Sequence, residues 1–139
     1  MVRMYEYKAV VEDAIDGDTI DVKVDLGFSI FKKARLRLNG IDTPETSRCS
    51  KKQERAGELV SKFVEDILFD NKLVYITTHK KGSFGRYLAD VYIPNLDKSF
   101  NQFLYDEGYA IKYGRHTEWK GKKLNKIIEE LSYLEDKEE

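Results

Sequence analysis

Cysteine is almost missing from this chain of 139 residues: Cys49 stands alone, so no internal disulfide can form. Histidine is nearly as scarce. With only His79 and His116 there is no Cys/His cluster to hold zinc, and histidine-rich metal chemistry is set aside. No apolar run approaches the ~20 residues that a membrane-spanning helix needs, so no membrane association is expected. The N-terminus, from Met1 to Lys8, lacks the apolar stretch of a signal peptide. The expectation is a protein that works inside a cell, or the mature form of a processed one. Proline occurs only at positions 44 and 94, and no repeat, low-complexity tract or Pro/Gly-rich linker divides the sequence. A dominant charge is missing too: 24 Lys and Arg face 25 Asp and Glu, for a formal net charge of −1. A coat or packaging protein for DNA would be strongly basic, so any contact with nucleic acid must be local.

What is present suffices for a core. Hydrophobic residues make up 41% of the chain, and a domain of this length buries roughly two-thirds of its unfolded surface without staples. A single domain over 1–139 is expected, with an acidic tail over 135–139 that frays. Nothing implies a protein partner, and a monomer is expected. A basic stretch stands near the end, where Lys112, Arg115, Lys120, Lys122, Lys123 and Lys126 are opposed only by Glu118. It reads equally well as a solvated helix face.

Periodicity assigns the elements. Tyr5, Tyr7, Ala9 and Val11 alternate with largely polar residues, as in a half-buried strand. Ile20, Val22, Val24 and Leu26 alternate with Asp21, Lys23 and Asp25, the cleanest strand pattern in the chain. Gly27 marks a turn. A third strand over 28–38 places Ile30, Ala34, Leu36 and Leu38 on one face and Lys33, Arg35 and Arg37 on the other. The period then changes. Ala56, Leu59, Val60, Phe63, Val64, Ile67 and Leu68 form the apolar stripe of a helix over 51–69, ended by Asp70-Asn71. Strands follow at 73–78 and 86–93, then a short helix over 98–106 closed by Gly108, an extended 109–113, and a last helix over 117–135. Three strands, a helix and two strands suit an OB-type barrel. Another α+β arrangement fits the same order.

Three segments carry the chemistry. Asp16-Gly17-Asp18-Thr19 reads by itself as a turn. The parity of the following strand, however, points Asp18 with Ile20 and Val22 toward the core, where a carboxylate is costly unless a cation or donors satisfy it. The stretch from Arg37 through Asp42-Thr43-Pro44-Glu45 reads as a strand end and a polar loop, yet it places two further carboxylates three residues apart. Carboxylate, carbonyl and water oxygens are what hard cations such as Ca²⁺ take. Phe84-Gly85-Arg86 reads as a glycine-assisted turn with a surface arginine, but Arg86 and Arg37 together supply two guanidinium forks suited to phosphate. Asp18, Asp42 and Glu45 contribute three negative charges; one divalent cation and the two arginines turn the sum to +1, ready for a phosphodiester that gains negative charge in the transition state.

In this order and spacing, Asp16-Gly17-Asp18-Thr19, Arg37 followed by Asp42-Thr43-Pro44-Glu45, and Gly85-Arg86 resemble the staphylococcal nuclease (thermonuclease, micrococcal nuclease) family. The resemblance runs from about Lys8 to the C-terminal helix and is similar to that of compact phage and bacterial members. It implies an α+β fold, a five-stranded OB-fold β-barrel with three α-helices, and a Ca²⁺-dependent phosphodiesterase that cuts DNA and RNA to leave 3′-phosphate ends. By this resemblance Asp18 and Asp42 are metal ligands together with the Thr43 backbone carbonyl. Glu45 holds the attacking water, Arg37 and Arg86 grip the scissile phosphate, Asp16 supports the ligands from behind, and Tyr113 stacks on a base. The sequence also departs from the family. Ser83-Phe84 stand where its best-known member has Lys-Tyr, which removes two groups that contact a terminal phosphate. The loop between Glu45 and the first helix is also shorter. Two other readings compete: a non-catalytic OB module that binds nucleic acid or protein, and a structural barrel stabilised by Ca²⁺. Three carboxylates beside two arginines favour the enzyme, because without a metal the anions repel phosphate.

Overall fold

The computed structural model describes residues 5–81 and 86–138, the side chains of 80, 81 and 136–138 excepted. Its first three strands, β1 (Glu6–Asp16), β2 (Thr19–Asp25) and β3 (Phe31–Leu38), form an antiparallel meander. Leu73–Lys81 (β5) and Tyr87–Tyr92 (β6) follow the first helix. The five strands close into a barrel in the order β1-β2-β3-β6-β5. Every pairing in it is antiparallel except β3 with β6, where Leu36, Arg37 and Leu38 register with Tyr87, Leu88 and Ala89. This is the expected five-stranded barrel. Alternation explains its interior: Ala9, Val11, Ile20, Val22, Val24, Leu36, Leu38, Val74, Ile76, Ala89 and Val91 are buried. Each fully buried branched side chain contributes ~1.5–3 kcal/mol over an exposed one.

Helix α1 (Lys51–Asp70) packs Ala56, Leu59, Val60, Val64 and Leu68 into this core. It starts where Ser50 Oγ accepts the Gln53 N–H at 3.2 Å. It stops at Asn71, whose backbone and side-chain nitrogens both donate to Ile67 O. The second helix, α2 (Phe100–Asp106), is capped by Ser99, and Gly108, at φ +84°, turns the chain out of it. Ile41–Asp42 (β4) and Ile111–Lys112 (β7) make a two-stranded bridge, and α3 (Gly121–Leu131) lays Leu124, Ile127 and Leu131 against α1.

Several boundaries differ from the periodicity. β1 runs on to Asp16 because two register shifts, between Val11 and Asp13 and between Ala14 and Asp16, carry the strand past the point where alternation fails. Leu26 and Ile30 are exposed rather than core, since β2 ends at Asp25 and β3 begins at Phe31. Tyr5, expected on the buried face of the first strand, is exposed. The last helix is shorter than 117–135. His116–Glu118 form a 3-10 turn, Trp119 is buried in the core, and helical structure restarts at Gly121. Beyond Leu131 the chain continues as a 3-10 helix over Ser132–Glu138, with Glu135 held by Arg55 Nε at 2.9 Å. Gly82, Ser83, Phe84 and Gly85, on which the departure from the family turns, lie outside the described residues.

Candidate active site

Two glycines bring the site together. At Gly17, in the turn between β1 and β2, an added Cβ would lie 2.7 Å from Thr43 Oγ1 and 2.9 Å from a Val60 methyl. At Gly57, on α1, it would lie 2.5 Å from Glu45 O and 2.6 Å from Pro44 O. The backbone of the Asp16–Thr19 turn therefore presses on the Thr43 and Val60 side chains, and the flank of α1 on the backbone of the loop after β4. Gly17 is there for space and not for a left-handed turn.

This packing converges four of the expected residues. Arg37 is only 8% exposed and registers with Thr19 across β2–β3. Its Nη1 donates to Ile41 O at 2.8 Å and Leu38 O at 3.1 Å. Nη2 is hydrogen-bonded to Asp42 Oδ1 and stands 3.6 Å from Asp18 Oδ2. Asp18 also accepts the Thr19 hydroxyl at 3.1 Å and the Thr43 N–H at 3.2 Å. The second oxygen of Asp42 takes the Gly114 N–H at 3.0 Å. The donors that a half-buried Asp18 requires are thus an arginine, a hydroxyl and a backbone amide. Tyr113, held by its N–H on Gly40 O at 2.9 Å, places its ring 5.5 Å from the Arg37 guanidinium carbon.

Asp16 and Glu45 flank this cluster. Asp16 is half-buried and accepts the Ser61 hydroxyl at 3.4 Å. Burial, then the Asp18 charge, raises its carboxyl above the ordinary value. Glu45 is an exposed residue, yet partial burial of its carboxyl, then the charges of Asp18, Asp16 and Asp42, raises that carboxyl as well. One arginine does not balance four carboxylates. The surplus is a negative field, which repels a phosphate and attracts a cation. Arg86 is half-buried and stands directly before β6, across the parallel seam from the strand of Arg37.

For a metal the donor chemistry is suitable, with the protein's share small. Asp18 and Asp42 both reach one guanidinium nitrogen, so their oxygens converge within the compass of a single small cation. No three of His, Cys, Asp and Glu are grouped closely enough to hold an ion among the described residues. The remaining ligands would be backbone oxygen and water, which hard cations accept.

Sequence reasoning missed two contributors. Gly114 grips Asp42 through its amide, which no side-chain pattern announces. Asn101, buried on α2, accepts the Val91 N–H at 3.0 Å and donates to Asn39 O at 3.0 Å and Ala89 O at 3.1 Å. It fixes the turn after β3 to β6, and its signal was a lone amide on an otherwise apolar helix face. In the basic stretch, Lys112, Arg115, Lys120, Lys122 and Lys123 are exposed, while Lys126 is engaged by Glu130 at 2.8 Å and Glu107 O at 2.6 Å.

A family model described as staphylococcal nuclease homologue matches residues 35–136, a span that leaves β1, β2 and the Asp16–Thr19 turn upstream. The chain is 30% identical over 115 residues to the Endonuclease YhcR of Bacillus subtilis (strain 168), covering 78% of this chain and 9% of that protein. It is 33% identical over 102 residues to the Thermonuclease of Staphylococcus intermedius, covering 73% of this chain and 56% of the relative. With the Thermonuclease of Staphylococcus hyicus it shares 35% identity over 97 residues, covering 69% and 53% respectively. The chain thus spans about half the length of the two thermonucleases and under a tenth of the Bacillus protein.

Proposed function

The chain belongs to the staphylococcal nuclease family, and we propose that it is a metal-dependent nuclease that hydrolyses phosphodiester bonds of DNA and RNA, with Ca²⁺ as the working ion. The observation that carries this reading is the meeting of Asp18 and Asp42 on one nitrogen of Arg37 inside a net negative field. A phosphodiester does not enter such a field unaided. Asp18 and Asp42, with the Thr43 carbonyl, would hold the ion, which supplies Lewis-acid charge to a phosphoryl oxygen when bound.

The chain's own residues do the remainder. Arg37 exchanges part of its hold on the two carboxylates for the incoming phosphate, and Arg86 reaches the same phosphate from its place directly before β6. Both forks then stabilise charge that grows at the phosphoryl oxygens. Glu45, an exposed residue with its carboxyl raised, accepts a proton from the attacking water. Asp16 keeps the Asp18 turn in place from the α1 side through Ser61. Tyr113 offers an aromatic face beside Arg37 on which a base stacks. The water oxygen bonds to phosphorus, the P–O5′ bond breaks, and the departing 5′-oxygen takes up a proton from solvent, which leaves a 3′-phosphate and a 5′-hydroxyl.

The test is cleavage of closed circular DNA and of single-stranded RNA with Ca²⁺, with Mg²⁺ and with chelator. Strong cutting in Ca²⁺, weaker cutting in Mg²⁺ and none in chelator is the expected result. Mg²⁺ demands tighter octahedral geometry and keeps its waters. Full activity in chelator overturns the assignment of the carboxylates.

A further inference from the structure

The turn between β2 and β3 is built against ordinary backbone preference. Gly27, Phe28 and Ser29 all have positive φ, at 82°, 55° and 60°. A glycine adopts that region freely; a phenylalanine there is an outlier held by its surroundings. What holds it is local: Gly27 N–H binds Asp25 Oδ1 at 2.8 Å, Leu26 N–H binds Ile30 O, and Ile30 N–H binds Gly27 O, both at 2.9 Å. The outcome is a side chain projected into water, with Phe28 96% exposed and Ile30 and Phe31 more than half exposed. An apolar point of this kind costs solubility and has no packing role.

Behind the point stands a second costly feature. Lys23 and Lys33 are register partners on the outer face of β2–β3. Like charges directly opposite each other destabilise a sheet. Asp21 does not relieve them, because Arg35 takes both its oxygens at 2.8 and 3.0 Å. Lys23 instead lies 4.7 Å over the Phe31 ring. A phosphate seated between the two ammonium groups would remove the repulsion.

The same face of β3 carries Lys33, Arg35 and Arg37 at alternate positions, so the lysine pair and the point lie on one line with the candidate active site. At ~3.3 Å per residue, Phe31 stands on the order of 20 Å from Arg37. That is about six steps of duplex at ~3.4 Å each. We propose that the β2–β3 hairpin is a second nucleic-acid contact, with Lys23 and Lys33 holding a backbone phosphate and Phe28 wedging against or stacking on a base about six or more steps from the cut. The inference rests on the nuclease reading for its line from site to hairpin. Apolar wedges beside cations are a recurrent way to engage and kink nucleic acid.

Binding is measured with the full chain in chelator, where cutting is suppressed, by fluorescence anisotropy of a labelled 20-base-pair duplex. Phe28→Asn suits the left-handed backbone and removes the ring; it is expected to weaken this long duplex about tenfold. Lys23→Gln with Lys33→Gln should lower the salt slope by about 1–2. Phe28→Trp, which keeps an aromatic face, should bind within a few-fold of wild type. In Ca²⁺, Phe28→Asn should raise KM for long DNA and leave cleavage of a dinucleotide-sized phosphodiester unchanged. Long-duplex affinity within twofold of wild type in Phe28→Asn overturns the proposal. So does a Phe28 dependence seen with phosphatidylglycerol vesicles and not with DNA. A wild type that binds the duplex with this dependence but cuts nothing in Ca²⁺ sinks the nuclease reading and leaves the hairpin contact standing.

Discussion

Gly17 approaches Thr43 so closely that a β-carbon at position 17 would lie 2.7 Å from the threonine hydroxyl oxygen. The turn that carries Asp18 and the loop that carries Asp42 are thereby one packed unit. Gly17→Ala forces them apart, with an overpacking cost of about 1–3 kcal/mol. Gly57→Ala meets backbone atoms that cannot rotate away, so it should cost more, although alanine in a helix ordinarily gains ~1 kcal/mol over glycine. Urea unfolding of both variants decides this. A stabilised Gly57→Ala would refute the close packing of α1 on the loop.

Removing the arginine should reveal the carboxylates. Arg37→Gln leaves Asp18 and Asp42 without their counter-charge, and a loss of ~2 kcal/mol is expected. A fully buried pair would lose ~3–5 kcal/mol, but both acids still touch water. Ca²⁺ should then raise the thermal midpoint of Arg37→Gln by more than that of wild type, because in the variant the ion replaces a missing charge. Equal shifts would place the ion elsewhere.

The raised carboxyl of Glu45 makes a pH prediction with a definite sign. The folded chain holds this proton more tightly than the unfolded chain, so ionised Glu45 costs stability at neutral pH. The cost is relieved as pH falls through the folded value and is gone below the ordinary carboxylate value. In chelator, Glu45→Gln should therefore be the more stable protein near pH 7, by under about 1 kcal/mol given the exposure of the residue. The two proteins should converge as the pH is lowered towards 4. In Ca²⁺ the same variant should lose activity. Denaturant midpoints across this range check the first part, and kcat the second.

Arg86→Ala removes one of the two forks proposed for the phosphate. The loss should lie in kcat, about a hundred- to thousand-fold. Arg86→Lys, which keeps the charge without the paired geometry, should recover part of it. Single-turnover cleavage of a defined oligonucleotide in saturating Ca²⁺ measures both, with circular dichroism to confirm folding. Activity within a few-fold of wild type in a folded Ala variant removes Arg86 from the mechanism.

The interior of the barrel was readable because alternation at Ile20, Val22 and Val24, and again at Leu36 and Leu38, is dictated by one buried face. Helix α1 was readable from its stripe, and the expected 51–69 became Lys51–Asp70. Leu26 and Ile30 misled because the alternation runs on beyond the last pair of the β2–β3 ladder. At the site, the sequence placed Asp18, Arg37, Asp42 and Thr43 close together, and they are in contact. It did not disclose that Arg37 spends its donors on those carboxylates and on the Leu38 and Ile41 carbonyls. Nor could it disclose Gly114, whose contribution is an amide positioned by the two-residue bridge between β4 and β7.

The parallel seam of β3 and β6 joins Leu36 to Tyr87 and Leu38 to Ala89 across some fifty intervening residues. The β1–β2, β2–β3 and β5–β6 pairings join strands consecutive in sequence and form as hairpins or short returns; this seam, like the still longer-range pairing of β1 with β5, waits for the chain to come round. Arg37 lies on one lip of that seam and Arg86 at the start of the other. On the nuclease reading, competence to cut therefore waits on a long-range closure and not on the hairpins. In a refolding time course, ellipticity should recover first and cleavage should follow as a separate, slower phase.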